Sequence, residues 1–431
     1  MRSVCLLDKN LRIEDSFLIS EALRLSSEIY LIVIIESNDK DFRNWFAFQA
    51  AESLKKVVPL TVMYGQFEHL IDYLTEILKP DAFFTLKRFD WSGEKRSAQI
   101  RSLCRRKKVK LYEVFDNFLA DITEIPLHKR FSGFFKEWQS RIKTEKIQID
   151  LTALKKVACI FPQNVSSSDE FAILKRQFKN KPFLNLETFL KRFENYNFSS
   201  YEVLRDRLDA DGTSRLSPLI NFGVVSIREV FMKAGANTAF LRQLAWREYF
   251  YHLKQHFPEM NKIEINEKRR NIPWNRQKTA IERFKNAETG YPIVDAAVRQ
   301  LLQEKWLPNR ARMIVASFLV KDLLVDWREG ERFFAENLLD YDEVLNVGNW
   351  QWVASVGPDT IPFRVFNPVL QAKKFDPHAF YIKKYLPELR ALSSEVLQDP
   401  LKHAISCYLE PIVDHKMAVK STKQAYFKNW N

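Results

Sequence analysis

Cysteine, glycine and long apolar runs are all scarce in this sequence of 431 residues. Its four cysteines have neither the CxxC spacing of a zinc site nor the paired framework of a disulfide-stabilised protein, which predicts a reduced, cytoplasmic chain. Their convergence on an iron–sulfur cluster stays open, although nothing in their spacing favours it. They are Cys5, Cys104, Cys159 and Cys407.

Other absences narrow the class of protein further. The longest apolar run, Ile29–Ile35, has the length of a strand and falls far short of the roughly 20 residues of a membrane helix. Charge interrupts the N-terminal segment too early for a signal peptide. No GxGxxG or P-loop follows a predicted strand, and His252 and His256 lack the intervening glutamate of an HExxH motif. We therefore expect no membrane insertion and no metal site.

Positive charge is what the sequence has in excess. Lys and Arg total 67 against 54 Asp and Glu, a formal net charge of +13 at pH 7. This excess favours a polyanionic partner, nucleic acid before a membrane surface, although a basic protein without such a partner fits the charge equally well. A hydrophobic content of 46% supplies a sizeable core, and the length predicts more than one domain.

The first 120 residues alternate short apolar runs with amphipathic segments. This order predicts an α/β domain built on a doubly wound parallel sheet. The predicted strands are Ser3–Leu7, Tyr30–Glu36, Pro59–Tyr64, Ala82–Leu86 and Val109–Val114, and the predicted helices are Phe17–Leu25, Phe42–Val57, Phe67–Leu78 and Ser97–Arg106.

The rest of the chain divides into two parts. Residues 121–195 lack clear periodicity and are predicted to connect two domains. Residues 196–431 have apolar positions at three- and four-residue spacing, which predicts a larger all-α domain. Its clearest predicted helices are Thr238–His256, Tyr291–Leu302 and Pro308–Trp327.

Tryptophan is concentrated in this helical part. A large helical core explains such a cluster by itself, and the alternatives are an aromatic-lined pocket or a relay of redox-active indoles. Six of the ten tryptophans lie close together in sequence: Trp246, Trp274, Trp306, Trp327, Trp350 and Trp352.

Polar residues share helical faces with some of these indoles. On Pro308–Trp327, the residues Asn309, Arg312 and Met313 lie on one face, with an apolar stripe continuing to Trp327. This face suits a ligand at one end of the helix, although most such stripes belong only to the core.

A second face combines an amide, an indole and a guanidinium. Gln243, Trp246 and Arg247 line up with Phe250 on Thr238–His256, a set that suits a planar heteroaromatic ligand as well as an ordinary buried tryptophan. The hydroxyls of Asp211–Pro218 form a candidate diphosphate site, although Ser or Thr before a helix is more often just an N-cap.

In its C-terminal half the sequence resembles the photolyase/cryptochrome family, most closely the class I photolyases for cyclobutane pyrimidine dimers. The matching motifs follow one another in order from about Tyr201 to Leu389, and their combination is highly specific. They are Gly212–Ser217, Gln243–Glu248, Gly290–Ala297, Asn309–Ser317, Val325–Glu331, Gly348–Trp352 and Phe366–Pro368.

The resemblance implies a helical domain that binds FAD in a folded conformation. It places Arg312 and Asp340 as a pair beside the isoalloxazine ring, Asp342 at the flavin and ribityl side, and Asn346 at flavin N5. Residues implied for the diphosphate and ribityl region are Tyr201, Thr213, Ser214, Arg215, Leu216 and Ser217. Trp350, Trp327 and Trp274 match the family's chain of three indoles, which passes electrons from the surface to the photoexcited flavin.

The resemblance also implies UV-damaged DNA as the partner of a monomeric enzyme. Trp246 and Trp352 match the indoles that clasp a flipped-out dimer, and Asn309 and Met313 match its further contacts. Photolyases for the (6-4) lesion carry histidines at these last two positions, so their absence favours cyclobutane dimers. The implied phosphate contacts are Arg205, Arg247 and Arg310.

Two departures from the family pattern stand out. Gln243 replaces a glutamate that hydrogen-bonds the dimer, which preserves reach but loses the charge and a proton donor. The segment Leu7–Arg12 keeps only Leu-Arg of the usual N-terminal motif, and the antenna-binding residues are not recognisable around Lys87–Trp91. This leaves open whether a folate or deazaflavin antenna binds and favours its absence.

The same sequence features are compatible with two other functions. A cryptochrome-like photoreceptor would keep the fold and FAD without repair, and Gln243 leaves room for it. The second alternative is a nucleic-acid-binding protein that keeps the fold but has lost flavin. Flavin is coloured, so a colourless purified protein would indicate this alternative.

Overall fold

In the computed structural model, which describes residues 1–37, 39–162, 168–358, 363–403 and 405–427, the N-terminal apolar runs form a parallel sheet. Within these residues the strand order is β3–β2–β1–β4–β5, and the short β6 also pairs with β2. The strands are β1 (Arg2–Leu7), β2 (Glu28–Glu36), β3 (Thr61–Gly65), β4 (Ala82–Leu86), β5 (Lys110–Val114) and β6 (Ala158–Cys159).

Helices connect these strands and make up the remainder of the described chain. Up to residue 234 they are α1 (Phe17–Leu25), α2 (Asp41–Lys55), α3 (Phe67–Leu78), α4 (Trp91–Lys107), α5 (Phe131–Arg141), α6 (Leu151–Val157), α7 (Ser168–Phe178), α8 (Leu186–Asn195), α9 (Tyr201–Leu204), α10 (Ser217–Asn221) and α11 (Ile227–Ala234). Beyond it they are α12 (Thr238–His256), α13 (Lys278–Lys285), α14 (Pro292–Glu304), α15 (Asn309–Ser317), α16 (Trp327–Asn337), α17 (Glu343–Val353), α18 (Pro368–Phe375), α19 (Phe380–Tyr385), α20 (Ser394–Gln398) and α21 (His415–Phe427).

Both faces of the sheet are buried, which explains the nearly continuous apolar strands. Side chains alternate between the two faces of a strand, so β1 sends Val4 and Leu6 to one side and Cys5 and Leu7 to the other. On the Val4 side the core continues into α3 and α4 through Leu74 and other apolar residues. The predicted fold class, a doubly wound parallel sheet followed by a helical domain, is confirmed.

Contacts among the described residues divide the chain into two units. The first unit consists of Met1–Ile125, Glu137–Tyr196 and Arg215–Ala236. The second consists of Pro126–Lys136, Asn197–Ser214 and Asn237–Asn431. Each unit is therefore assembled from stretches that are separated in sequence.

The range 121–195, predicted as a connection, contains α5 to α8. Within the first unit, Phe171 of α7 stacks on Phe48 of α2, with ring centroids 4.1 Å apart. Phe189 of α8 packs edge-on against Phe46 at 5.5 Å. These helices therefore cover α2.

Buried ion pairs join α11 to the loops that follow β1 and β5 in the first unit. The Arg228 guanidinium donates to Asp15 Oδ2 at 2.9 Å and to Asp116 Oδ1 at 2.7 Å. Arg12 donates to Asp116 Oδ2 at 2.8 Å. All four side chains are almost completely buried, so each charge depends on the others for solvation.

The single helix predicted from Pro308 to Trp327 is wrong, because the structure interrupts it. After α15 the backbone forms a π-helical turn, Phe318–Asp322, and Leu324 then adopts a left-handed φ of 52°. Asn275 compensates for the lost helical hydrogen bonds: its N–H donates to the carbonyl of Leu324 at 2.7 Å, and its side-chain amide to that of Leu323 at 3.1 Å. Asp326 then caps α16.

Two charged residues of the π-helical turn are buried against α21. Lys321 Nζ donates to the carbonyl of Ala354 at 2.9 Å and lies 4.0 Å from the centre of the Tyr426 ring. Asp322 hydrogen-bonds His415. Burial lowers the pKa of Lys321 well below its ordinary value and raises the pKa of Asp322. The π-helical turn thus gives Lys321 and one oxygen of Asp322 partners from later parts of the chain, while Asp322 Oδ2 has none among the described residues.

A search of the described residues finds no helix with the length and apolar character needed to cross a membrane.

We expect Asp116→Asn to destabilise the first unit. The substitution keeps the shape of the side chain but removes the charge that Arg12 and Arg228 share, and breaking a buried ion pair costs about 3–5 kcal/mol. Urea unfolding followed by circular dichroism measures the loss. Glu21→Gln, which breaks the exposed pair with Arg24, is the control and should leave the midpoint unchanged. Equal midpoints for Asp116→Asn and the wild type would contradict the role given to this network.

Candidate functional site

Helix α15 carries several of the predicted site residues in the second unit. Arg312 Nη2 donates to Asp340 Oδ2 at 2.7 Å, and its Nε donates to the carbonyl of Leu307 at 2.9 Å. The Asp340 side chain is 2% exposed and that of Arg312 is 26% exposed. The predicted Arg312–Asp340 pair is therefore formed, with the carboxylate inside and the guanidinium nearer the surface.

The second oxygen of Asp340 has no partner. Oδ1 is buried and accepts no hydrogen bond from any described residue. A buried carboxylate oxygen without a donor costs free energy, and native proteins rarely leave one unsatisfied. Asp322 Oδ2 is another buried carboxylate oxygen without a partner among the described residues, so this feature alone does not identify a ligand site; at Asp340 it is compatible with a ligand that carries N–H or O–H donors.

Asp342 has a different environment from Asp340. Its Oδ1 caps α17 by accepting from the N–H groups of Val344 and Leu345 at 3.1 and 3.0 Å. Its Oδ2 accepts from the hydroxyl of Tyr251 at 2.7 Å. Asp342 therefore ties the start of α17 to α12, and its carboxylate is largely satisfied by the protein.

Asn346 lies one turn further along α17. Its Nδ2 donates to the backbone carbonyl of Glu331 and to Glu331 Oε1, both at 2.9 Å. Burial raises the pKa of Glu331, although the hydrogen bonds from Asn346 and Tyr341 oppose that shift. Since both donor contacts go to Glu331, the amide orientation is fixed and its oxygen is the group left to meet a ligand.

The three indoles predicted for electron transfer differ in exposure. Trp327 and Trp350 are completely buried, at 0% and 2%, whereas Trp274 is half-buried. Trp327 Nε1 donates to Glu264 Oε1 at 3.2 Å. Gly330 allows α16 to approach Trp350 closely, since a Cβ at that position would lie 2.1 Å from the Trp350 ring. The indoles thus span the interior and the surface of the second unit.

The predicted lesion contacts lie on α12, α15 and α17. Asn309 Nδ2 donates to Met313 Sδ at 3.4 Å, so the structure brings these two residues together at the start of α15. Trp246 stacks on Phe131, with ring centroids 3.9 Å apart. Trp352 is half-buried, and the Arg364 guanidinium lies 5.0 Å from its ring centre.

Gln243 has a weak anchor. Its Nε2 donates to the carbonyl of Ala239 at 3.4 Å, and the side chain is half-buried. This long hydrogen bond leaves the amide able to turn toward a neighbouring ligand.

The segment predicted for the diphosphate spans the boundary between the two units. Thr213 and Ser214 belong to the second unit, and Arg215, Leu216 and Ser217 to the first, where Ser217 begins α10. Arg215 has a left-handed φ of 53°. Such a conformation in a residue other than glycine is strained and is typical of functional loops. Tyr201, in the second unit, packs edge-on against Phe240 at 4.9 Å.

The three arginines predicted to contact phosphate differ in their existing partners. Arg310 pairs with Asp206 at 3.1 Å, stacks on Phe375 and is 14% exposed, so it holds the helical unit together as well. Arg205 Nε lies 4.0 Å from Asp206 Oδ1, a longer ion pair than that of Arg310. Arg247 is half-buried above the Tyr251 ring. Arg310 would have to give up a partner to meet DNA.

Sequence analysis missed Tyr251, Glu331 and Phe131 as site residues. Tyr251 follows Arg247 by one helical turn, and Glu331 ends a motif that the sequence analysis had identified. Phe131 begins an apolar stripe at helical spacing with Phe134 and Trp138, a signal of α5 that the surrounding Pro and Lys obscured.

In the first unit, charged residues fill the space beyond the carboxyl ends of β1, β2 and β4. Arg88 pairs with Asp8 and Asp90, and Arg96 pairs with Asp8 and Glu36. Although burial raises its pKa, the guanidiniums hold the pKa of Asp8 at about 2. Ligands of doubly wound sheets bind at this edge, but here the ionic groups already satisfy one another.

Among the described residues, no group of three or more His, Cys, Asp or Glu side chains is arranged to hold a metal ion.

Comparison with known proteins identifies the helical part of the chain. A family model described as the FAD binding domain of DNA photolyase matches residues 240–428. The residues present fit that cofactor, because the unpartnered Asp340 Oδ1 can accept from N–H or O–H groups of the kind a flavin and its ribityl chain carry, and the Asn346 amide is held nearby on α17 by Glu331.

Several curated relatives carry the name deoxyribodipyrimidine photo-lyase. The one from Synechococcus sp. is 33% identical over 85% of this chain and 82% of its own length. Those from Alkalihalophilus pseudofirmus and Escherichia coli are 43% and 41% identical over 56% and 55% of this chain. The match spans about half the length of these last two relatives, 54% of each.

Solved structures are similar over nearly the whole chain. An archaeal photolyase from Sulfolobus tokodaii, crystallised with two FAD molecules, has a TM-score of 0.88 at 28% identity and covers 99% of this chain and 100% of its own. A class III photolyase from Agrobacterium tumefaciens has a TM-score of 0.82 at 25% identity, covering 100% and 98%. A Synechocystis cryptochrome, at 22% identity and a TM-score of 0.82 over 98% and 99% of the two chains, shares the fold. The chain therefore belongs to the photolyase/cryptochrome family, and the match to that family's FAD-binding domain covers residues 240–428.

Proposed function

We propose that this chain is a deoxyribodipyrimidine photo-lyase that uses light and bound FAD to split cyclobutane pyrimidine dimers in DNA. The observation that carries the proposal is the second unit's polar site, in which the buried Asp340 pairs with Arg312 through one oxygen and lacks a partner for the other. The same helix, α15, presents Asn309 and Met313 in contact at its start. A cofactor site and a candidate lesion site are thus built on one helix.

FAD, when bound and reduced, supplies the electron that opens the dimer after light is absorbed. The protein's own residues bind the cofactor and orient it. Asp340 offers an acceptor, and its ion pair with Arg312 fixes the position of the carboxylate. Asn346, held by Glu331, directs its amide oxygen as an acceptor that suits an N–H of a reduced flavin ring.

Trp350, Trp327 and Trp274 are proposed to carry electrons inward from the surface. The partial exposure of Trp274 allows an external reductant to reach it, while the burial of the other two keeps water away from an oxidised indole. Gly330 supports this role, because its missing side chain lets α16, which begins with Trp327, pack directly on Trp350.

Trp246, Trp352, Asn309 and Met313 are proposed to receive an extruded dimer. Extrusion of a damaged pair costs only a few kcal/mol, since a dimer stacks poorly in the duplex. Indole faces and a thioether compensate by contact with the pyrimidine rings. Gln243 supplies an amide in place of a carboxyl group, so it can donate and accept but brings no charge.

The excess of positive charge supports DNA as the partner. Phosphate contacts release counterions, so binding should weaken steeply with salt. Arg205, Arg247 and Arg310 are the candidates for such contacts, and Arg310 is the less exposed of the two that also pair with Asp206. We further propose that the protein acts as a cytoplasmic monomer.

The decisive experiment is illumination of the reduced, FAD-containing protein with an oligonucleotide that contains one thymine dimer. We expect the dimer to disappear under blue light and to persist in the dark, as measured by chromatographic separation of repaired and unrepaired strands. Unchanged dimer despite bound, reduced FAD would overturn the proposal and favour a cryptochrome-like photoreceptor.

We expect Trp350→Phe to abolish photoreduction of the oxidised holoprotein, because the innermost indole of the proposed chain is lost. Repair should persist once the cofactor has been reduced chemically, since the lesion contacts are untouched. Absorbance changes under illumination and the repair assay measure the two effects separately. Loss of repair in the chemically reduced variant would show that Trp350 has another role.

Asp340→Asn is expected to lower the retention of FAD by roughly tenfold or more, since hydrogen bonds to a charged group are worth about 1.5–3 kcal/mol. The ratio of flavin to protein absorbance after gel filtration measures retention. Asp399→Asn, which affects the peripheral pair with Lys373, is the matched control and should retain the cofactor fully. Equal FAD content in both variants would contradict the role of Asp340.

A further inference from the structure

One face of the Trp246 indole is covered by another aromatic ring. Phe131 lies parallel to it, with the centroids 3.9 Å apart and the planes inclined by 2°. Both residues belong to the second unit. Phe131 is 8% exposed, whereas Trp246 keeps a larger exposed fraction. Phe250 also contacts the indole, at a tilt of 34° with centroids 5.7 Å apart. The part of the Trp246 ring that stays exposed is what remains for another planar group.

Side chains of α12 hold Phe131 in this position. Tyr249 meets the ring edge-on, with centroids 5.7 Å apart, and also meets the Trp246 indole edge-on at 5.4 Å. The Arg242 guanidinium lies 5.1 Å from the centre of the Phe131 ring. Arg242 and Tyr249 stand about one helical turn before and after Trp246. The ring is thus fixed to the same helix as the indole.

The backbone before Phe131 is anchored to α12 as well. The Tyr249 hydroxyl donates to the carbonyl of Lys129 at 2.7 Å. The N–H of His128 donates to Nε2 of His252 at 3.1 Å. These hydrogen bonds set where the chain enters α5, so the placement of the Phe131 ring does not depend on ring packing alone.

We propose that Phe131 is a positioning residue for the extruded pyrimidine dimer: it holds the indole of Trp246 in the orientation in which the exposed part of its ring receives the lesion. The inference rests on the proposed function. A surface indole without a backing ring samples several side-chain conformations, and that freedom would be lost on binding. A stacked and anchored ring removes this cost before the lesion arrives.

The test is the affinity of FAD-loaded Phe131→Leu for a dimer-containing oligonucleotide in the dark, measured by fluorescence anisotropy. Aromatic pairing energies predict a dissociation constant roughly 3- to 10-fold higher than that of the wild type. Affinity for undamaged DNA should not change. Phe131→Tyr, which keeps the ring, should restore the affinity for the lesion.

Phe134→Leu is the matched control. Phe134 lies in the same helix and is completely buried, but its ring contacts are with Tyr249 and His252 and not with Trp246. Both substitutions should lower the melting temperature, and only Phe131→Leu should lower the preference for damaged over undamaged DNA. An equal loss of preference in both variants would overturn the proposal, because destabilisation would then account for it.

A double-mutant cycle tests whether Phe131 acts through Trp246. In a Trp246→Ala background, Phe131→Leu should cause no further loss of lesion affinity. Additive losses would overturn the proposal. If Phe131→Leu yields no FAD-loaded protein, Phe131→Met, whose unbranched and flexible side chain fills irregular gaps, replaces it in the cycle with the same expectations.

Binding and repair measured on the wild-type protein distinguish a failure of this inference from a failure of the proposed function. A wild-type protein without preference for dimer-containing DNA would overturn both. A wild-type protein that binds and repairs the dimer, together with an unchanged Phe131→Leu variant, would overturn only the role of Phe131.

Discussion

The helical unit depends on the solvation of one buried carboxylate. Asp340 is almost fully enclosed, and an enclosed charge is tolerated only where donors replace water. Arg312 satisfies one oxygen and is itself oriented by the carbonyl of Leu307, which fixes the start of α15. Asn309 and Met313 lie in the first turns of the same helix. The ion pair that stabilises the buried Asp340 charge therefore also fixes the positions of these two surface residues.

Much of the fold could be predicted because local pattern and tertiary environment agree there. The strands of the doubly wound sheet are apolar on both faces, and α12 begins and ends at the predicted residues. The prediction of one helix from Pro308 to Trp327 was wrong for a physical reason. Apolar periodicity continues through a stretch in which Lys321 and Asp322 bond to Ala354, just after α17, and to α21. Periodicity does not show which distant groups will satisfy a buried charge.

In the candidate site, too, contacts within one helix could be predicted from the sequence, whereas contacts between distant stretches could not. Contacts within one helix, such as Asn309 with Met313, follow from four-residue spacing, and the pairing of Arg312 with Asp340 followed from the family's motifs. The stack of Phe131 on Trp246 could not be foreseen, because the two rings come from stretches far apart in sequence and only packing brings them together. The roles assigned to these residues remain predictions.

The contacts between the π-helical turn and α21 have a consequence for biosynthesis. Lys321 and Asp322 find partners in residues that the ribosome adds much later, Tyr426 and His415. Until those residues emerge, two ionisable groups of the nascent helical unit have no stable interior position, and the break after α15 has little to hold it. The turn after α15 therefore reaches its final environment only once α21 has been synthesised.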